Sequence, residues 1–259
     1  MKTVLITGAS TGIGKELAYV YASHGHDLIL MARREDLLQD LKKEILSKHS
    51  VNILIKKTDV SQYEQHIQDI RDVCAEAGGL DIVIANAGIG KNSQGWKNSW
   101  QSSHEVFAVN VLGAIATIET AKDIFLKQGH GQVVGISSVA GVRGFALNSA
   151  YSASKAAIST YLESLRVDLM PHDIKVTTIY PGYVETPLTE PNGKMQWLLK
   201  ADVAAQKIYK AIAKKKARFV FPWQMAIVFQ ILKILPGWFY DFLGKVTLKK
   251  VIHFRQERD

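Results

Sequence analysis

The stretch Thr7-Gly8-Ala9-Ser10-Thr11-Gly12-Ile13-Gly14 constrains the fold more than any other. It follows Val4 to Ile6, an apolar and mostly β-branched run that reads as a buried parallel strand. It precedes Lys15 to Ala22, which reads as a helix. Strand, glycine turn and helix in that order bring backbone N–H groups and a helix N-terminus to one spot, an anion site suited to a pyrophosphate. Gly8 and Gly12 allow tight turning and close approach of phosphate, and Gly14 lets the helix pack on the strand. The spacing is G-x-x-x-G-x-G, not G-x-G-x-x-G, and such a turn can also be merely structural.

The chain continues in the same alternation. Strands are expected at Asp27–Ala32, Val51–Ile55, Leu80–Ala85, Gln132–Ser137 and Lys175–Tyr180, separated by helices. One helix covers Glu35 to Ser47, another begins at Ser61 as N-cap, and a long one runs through Phe107, Asn110 and Val111 to about Phe125. The predicted class is α/β: a single Rossmann-type, doubly wound parallel sheet with helices on both faces and a C-terminal apolar helical appendage. Such sheets bind ligands beyond the carboxyl ends of their strands. Gly8, Arg33, Asp59 and Asn86 all fall just after strand ends.

The second strand ends without the acidic residue that would take a ribose 2′-hydroxyl. Arg33-Arg34 stand there instead, and guanidinium groups suit a 2′-phosphate, so NADP is expected over NAD. The alternative is that both arginines are ordinary solvated charges. Further along, Tyr151 and Lys155 lie four apart, on one face of a helix. An ammonium there is expected to lower the phenol pKa from about 10 and make Tyr151 a general acid/base. Alone, that spacing is weak; beside the glycine turn it gains meaning.

These residues together resemble the short-chain dehydrogenase/reductase family over roughly residues 1–190. The resemblance rests on Thr7-Gly8-x-x-x-Gly12-x-Gly14, Asp59, Asn86-Ala87-Gly88, Asn110, Ser138, Tyr151-x-x-x-Lys155, and Pro181-Gly182 with Thr186. It implies that Tyr151 donates the proton to a carbonyl in reduction and accepts it in oxidation. It implies that Lys155 lowers the Tyr151 pKa and holds the nicotinamide ribose, and that Ser138 polarises the substrate oxygen. Asn110 positions a water that links Lys155 to solvent. Thr186 holds the carboxamide, Asp59 touches the adenine and Asn86 lines the groove. Ser10, Thr11, Ile13, Val60, Ala87, Gly88, Pro181, Gly182 and Val184 complete the cofactor-lining set. Two positions depart from the family pattern. Ala85 stands where an asparagine is frequent, and Ser10-Thr11 lack the basic residue many NADP-dependent members carry, so NADP preference rests on Arg33 with Arg34 in support. The same resemblance implies a homodimer or homotetramer through helices at about 101–125 and 151–169. The function expected is an NADP(H)-dependent oxidoreductase on a carbonyl/alcohol pair. The alternative is a catalytically silent dinucleotide-binding sensor or scaffold, against which the Asn110, Ser138, Tyr151, Lys155 set argues.

Charge and cysteine content narrow the rest. The net charge is +8, dispersed apart from Lys214-Lys215-Lys216 and Lys249-Lys250, with no zinc-ligand spacing or RNP-like motif, so nucleic acid is not the expected partner. No His/Cys/Asp cluster suggests a metal. Cys74 is the only cysteine, which fits a reducing, cytoplasmic setting. The N-terminal apolar run is too short for a signal peptide. The chain divides at about 190 into a dinucleotide-binding and catalytic part, 1–190, and a lid plus apolar extension packed on it, 191–259. Thr186-Pro187 open the lid, which contains Pro191-Asn192-Gly193. The apolar extension 219–243 has no uninterrupted run long enough to span a bilayer. Three readings remain for it: a wall of an apolar substrate pocket, an interfacial helix on the cytoplasmic face of an anionic membrane, or plain core or dimer surface. The first two are compatible, and both fit an apolar substrate.

Overall fold

The computed structural model describes residues 1–91, 93, 95–189 and 195–245. Pro191-Asn192-Gly193 of the expected lid and residues 246–259 of the extension lie outside them.

Seven strands form one wholly parallel sheet in the order β3-β2-β1-β4-β5-β6-β7. They are β1 Thr3–Thr7, β2 Asp27–Ala32, β3 Ile53–Lys57, β4 Ile82–Ala85, β5 Gly131–Ile136, β6 Ile174–Pro181 and β7 Arg218–Phe221. Successive side chains of a strand point to opposite faces. Val4 and Ile6 of β1 and Leu28 and Leu30 of β2 therefore join one core, beneath helices α1 (Gly12–Ser23), α2 (Glu35–Leu46) and α7 (Ala201–Ala213). Leu5, Ile29 and Met31 join the other, beneath α3 (Tyr63–Glu76), α5 (Ala114–Gln128) and α6 (Ser149–Asp168). Burial on both faces is why these strands are continuously apolar. The strand order reverses between β1 and β4, which pair Val4 with Ile82 and Ile6 with Ile84. That switch opens a crevice at the carboxyl end of β1.

Several expected boundaries move, each for a local reason. β3 starts at Ile53, because the Asp27 carboxylate takes the Asn52 backbone N–H at 2.7 Å and delays entry into the ladder. Ser61 does not cap α3: its N–H and hydroxyl both donate to Asp59 Oδ1, at 3.0 and 2.8 Å, and the helix begins at Tyr63. The single helix expected through Asn110 is three pieces: α4 (Trp100–Phe107), a wide π-type turn over Ala108–Gly113, and α5. Wide turns of this kind are frequent at functional sites. Residues 201–221 complete the sheet rather than hang from it. α7 lies on α1 with Ala204, Ala205, Ile208 and Ile212 buried, and β7 pairs with β6 from Thr178↔Arg218 to Pro181↔Phe221. Beyond Pro222 follow α8 (Trp223–Ile234) and α9 (Gly237–Lys245), bent from each other by 120°. Cys74 is buried in α3, and burial pushes its thiol up to about 12.

Candidate active site

The glycine turn is stitched to the end of β4. The Thr7 hydroxyl accepts the Asn86 and Ala87 backbone N–H groups at 3.1 and 3.2 Å, and Asn86 Nδ2 donates to the carbonyls of Thr7 and Gly8 at 3.0 and 3.2 Å. Gly8 and Gly12 have φ of 66° and 58°, the left-handed region that other residues avoid. A Cβ on Gly14 would sit 2.3 Å from the Gly8 carbonyl oxygen, so only glycine lets α1 start so close to the turn. Thr11 precedes α1 without capping it by its side chain. The first-turn N–H groups are therefore left for an external acceptor, with the helix dipole favouring an anion.

The two arginines occupy different places. Arg34 reaches back over the turn, donating to Ser10 Oγ at 3.2 Å and Thr11 Oγ1 at 3.1 Å. Arg33 lies 3.9 Å from the Asp59 carboxylate and is largely exposed. Asp59 holds Ser61 as well, so the end of β3 and the end of β2 form one rim.

At the opposite end, Ser138 follows β5 in extended geometry, and its Oγ accepts the Ala140 N–H at 3.1 Å. Tyr151 lies in the first turn of α6, half-buried, and shares the cleft with Ser138. Lys155 is buried one turn on. Its Nζ donates to the Ile136 carbonyl at 2.8 Å and stands 5.8 Å from the Tyr151 ring centre. Asn110, in the π-type turn, accepts the Ile89 N–H at 2.8 Å and donates to the Ile89 carbonyl at 2.9 Å and to Ser154 Oγ at 3.1 Å. Ser154 passes the link to the Tyr151 carbonyl at 2.7 Å. The widened turn is what aims Asn110 across to both the β4 loop and α6, and the mid-helix asparagine is fully satisfied.

The protonation balance differs from that expected of the i,i+4 pair. Burial pushes the Tyr151 phenol above its usual value, and the Ser138 side chain only partly opposes it. Burial holds Lys155 down at about 8. Desolvation outweighs the ammonium's pull on the tyrosine, because both groups share one dry site.

A cleft of about 660 Å³ runs between these two ends. Gly8, Ser10, Thr11, Gly12, Ile13, Arg33, Arg34, Asp59, Val60, Asn86, Ala87, Gly88, Ser138, Tyr151, Lys155, Pro181, Gly182, Val184 and Thr186 all line it. Of the residues singled out in the sequence, only Gly14 and Asn110 do not; one sits under the turn and the other behind Ile89. The stretch after β6 closes across the cleft. Thr186 Cγ2 comes within 3.0 Å of where a Gly12 Cβ would be, and Leu188 Cδ1 within 3.1 Å of the same position on Gly90. Lys91, Glu105, Val109 and Leu188 also line the cleft, and Lys91 pairs with Glu105 across it. Sequence reasoning missed these four, which come from loops and a helix end with no motif spacing.

A family profile described as short chain dehydrogenase matches residues 2–197. The chain belongs to the short-chain dehydrogenase family. An uncharacterized oxidoreductase of Myxococcus xanthus is 39% identical to this short-chain dehydrogenase over 93% of its chain and 95% of the relative's. An Arabidopsis thaliana protein named 11-beta-hydroxysteroid dehydrogenase-like 2 is 33% identical over 91% and 78%. Among solved structures, an alcohol dehydrogenase of the archaeon Thermococcus sibiricus, complexed with 5-hydroxy-NADP, superposes with a TM-score of 0.77. It is 29% identical, over 85% of this chain and 95% of that one. A short-chain dehydrogenase/reductase of Burkholderia phymatum in complex with NAD, 23% identical with a TM-score of 0.82 over 89% and 92%, shares the fold. This short-chain dehydrogenase is accordingly an oxidoreductase that acts on CH–OH donors with a nicotinamide dinucleotide. Its cleft fits that group: uncapped helix N–H donors and left-handed glycines at one end, hydroxyls and an ammonium at the other.

Proposed function

We propose that the protein is an NADP(H)-dependent reductase or dehydrogenase that interconverts a carbonyl and a primary or secondary alcohol on an apolar substrate. The observation that carries this reading is that Ser138, Tyr151 and Lys155 line one cleft, with the Lys155 ammonium buried 5.8 Å from the Tyr151 ring centre. When bound, the nicotinamide supplies or takes up the hydride. In the reducing direction, negative charge builds on the substrate oxygen. Ser138 donates a hydrogen bond to it and Tyr151 gives it the phenolic proton. The raised phenol pKa keeps that proton in place at neutral pH until the oxygen becomes basic enough to take it. Lys155, largely charged at neutral pH, stabilises the phenolate left behind. Asn110 locks α6 to the Ile89 loop so that Tyr151 and Lys155 keep their spacing.

Three further features support the finer points. Arg33 at the exposed rim and Arg34 over Ser10 and Thr11 offer guanidinium donors where a 2′-phosphate would lie, which favours NADP over NAD. Ile89, Val109 and Leu188 line the cleft, Leu188 against Gly90 beside the Tyr151 ring, which favours an apolar substrate. Exposed Phe107, Leu112, Leu126, Val167 and Met170 support assembly as a homodimer or homotetramer. The deciding experiment follows NADPH fluorescence with a panel of apolar aldehydes and ketones. Consumption that disappears in Tyr151→Phe supports the reading. Tight NADPH binding without consumption of any substrate would identify a sensor instead.

A further inference from the structure

Among the described residues, the last two helices carry an exposed apolar surface. On α8, Trp223, Ile227, Ile231 and Ile234 follow one another at spacings of three and four, so they share one helix face, and Trp223 and Ile234 are 70% and 83% exposed. On α9, Trp238 is 73% exposed, with Phe242 one turn further on also exposed. Phe229 on the other side of α8 is buried against Tyr180, so α8 has an inner anchoring side and an outer bare one. Exposed apolar helix faces of this kind mark an interaction site rather than ordinary surface.

Its chemistry selects the occupant. From Lys214 to Asp259 the sequence carries ten Lys or Arg against three Asp or Glu, so nearly the whole net charge of +8 accrues in this end of the chain. Lys233 on α8 and Lys245 at the end of α9 are exposed beside these residues. Tryptophans stand at the start of α8 and near the start of α9, the placement that suits a membrane–water boundary. Neither helix alone is long and apolar enough to cross a bilayer, and among the described residues the bent pair passes only when taken together, by length and composition. Apolar face, basic flanks and short length are the signature of a helix lying in a lipid surface.

The bend is built, not loose. Arg143, in the loop between Ser138 and Tyr151, donates from Nε to the Leu232 carbonyl at 2.9 Å and from Nη2 to the Leu235 carbonyl, satisfying the C-terminal turn of α8 where the chain turns into α9. Its guanidinium lies 5.2 Å from the Tyr240 ring centre, and the Tyr240 hydroxyl donates to the Gly144 carbonyl at 2.7 Å. The hairpin of helices is thus fastened to the loop that flanks the substrate end of the cleft.

We propose that α8 and α9 form a monotopic dock that seats the protein on an anionic lipid bilayer, with Arg143 holding the two helices at their angle and joining them to the loop beside the site. The inference stands apart from the catalytic reading, since lipid binding is measured without turnover.

The test is co-flotation of the full chain with vesicles of phosphatidylcholine alone and of phosphatidylcholine with about a third phosphatidylserine, read also as tryptophan fluorescence. The expected result is flotation with the anionic vesicles, a blue-shifted emission, and weakening with added salt. The double variant Ile227→Asp/Ile231→Asp alters exposed positions only and is expected to lower partition at least about tenfold, with its thermal unfolding unchanged. Failure of the wild type to float with either vesicle overturns the proposal, as does equal flotation of the double variant. Sedimentation that shows a dimer dissolved by the same double variant, without vesicle binding by the wild type, assigns the patch to a second copy and overturns it as well.

Discussion

Replacing Tyr151 by Phe removes one hydroxyl and keeps the ring that lies along the cleft. The expected result is a fall in kcat of about 10²–10⁴-fold with NADPH affinity nearly unchanged, measured by steady-state turnover and fluorescence titration. Lys155 carries a different signature. In the folded protein it loses its proton near pH 8, and in the unfolded chain near its ordinary 10.5. Between those values the unfolded state holds more protons, so stability rises with pH across that window, while the cost of the buried ammonium stands in full below pH 8. Urea midpoints of the ligand-free protein should climb from pH 8 to pH 10 relative to Lys155→Met, which has no such proton to lose; parallel curves would refute the depressed pKa. At the adenosine end, Arg33→Ala is expected to weaken NADPH against NADH by about ten- to a hundredfold, the worth of a charge-assisted hydrogen bond. These residues were legible in the sequence because motif spacing carries them. The sign of the Tyr151 shift was not, because spacing says who is adjacent and nothing about how much water is left. Lys91, Glu105 and Leu188 were illegible for a related reason: they reach the cleft from two loops and a helix end, which share no period.

At the scale of elements, the turn between β1 and α1 is a contact between two backbones. Gly14→Ala drives a methyl into the Gly8 carbonyl, and an overpacking loss of about 1–3 kcal/mol is expected by urea denaturation. Alternation of apolar strands and amphipathic helices was readable because each strand is buried on both faces. The seventh strand was not. Arg218–Phe221 is four residues long and runs into the apolar α8 with Pro222 between them, so strand and helix merged into one hydrophobic extension. The π-type turn at Asn110 was hidden too, since one added residue in a helical turn leaves the apolar pattern almost intact.

For the whole molecule, the sheet edge and α7 make the C-terminal part structural up to Phe221. A chain stopped after Lys200 exposes the α1 face that Ala204, Ala205, Ile208 and Ile212 cover. It is expected to be insoluble or molten by near-UV circular dichroism, whereas a chain stopped after Pro222 is expected to retain a cooperative unfolding transition. The fold class and the line of the cleft could be foreseen from order alone: a strand-glycine-helix start fixes where ligands go, and each later strand end adds to that rim. What order alone does not reveal is which outer surfaces stay bare, because an apolar run reads the same whether it is covered or not.

Cys74 has a practical consequence. Its thiolate is suppressed and its sulfur enclosed, so maleimide chemistry at neutral pH should pass over the native protein. A cysteine placed at Ile234 or Trp238 would then be the single reactive thiol in an otherwise unaltered background. A polarity-sensitive dye or spin label there would report immersion depth residue by residue, with no need to engineer a cysteine-free parent.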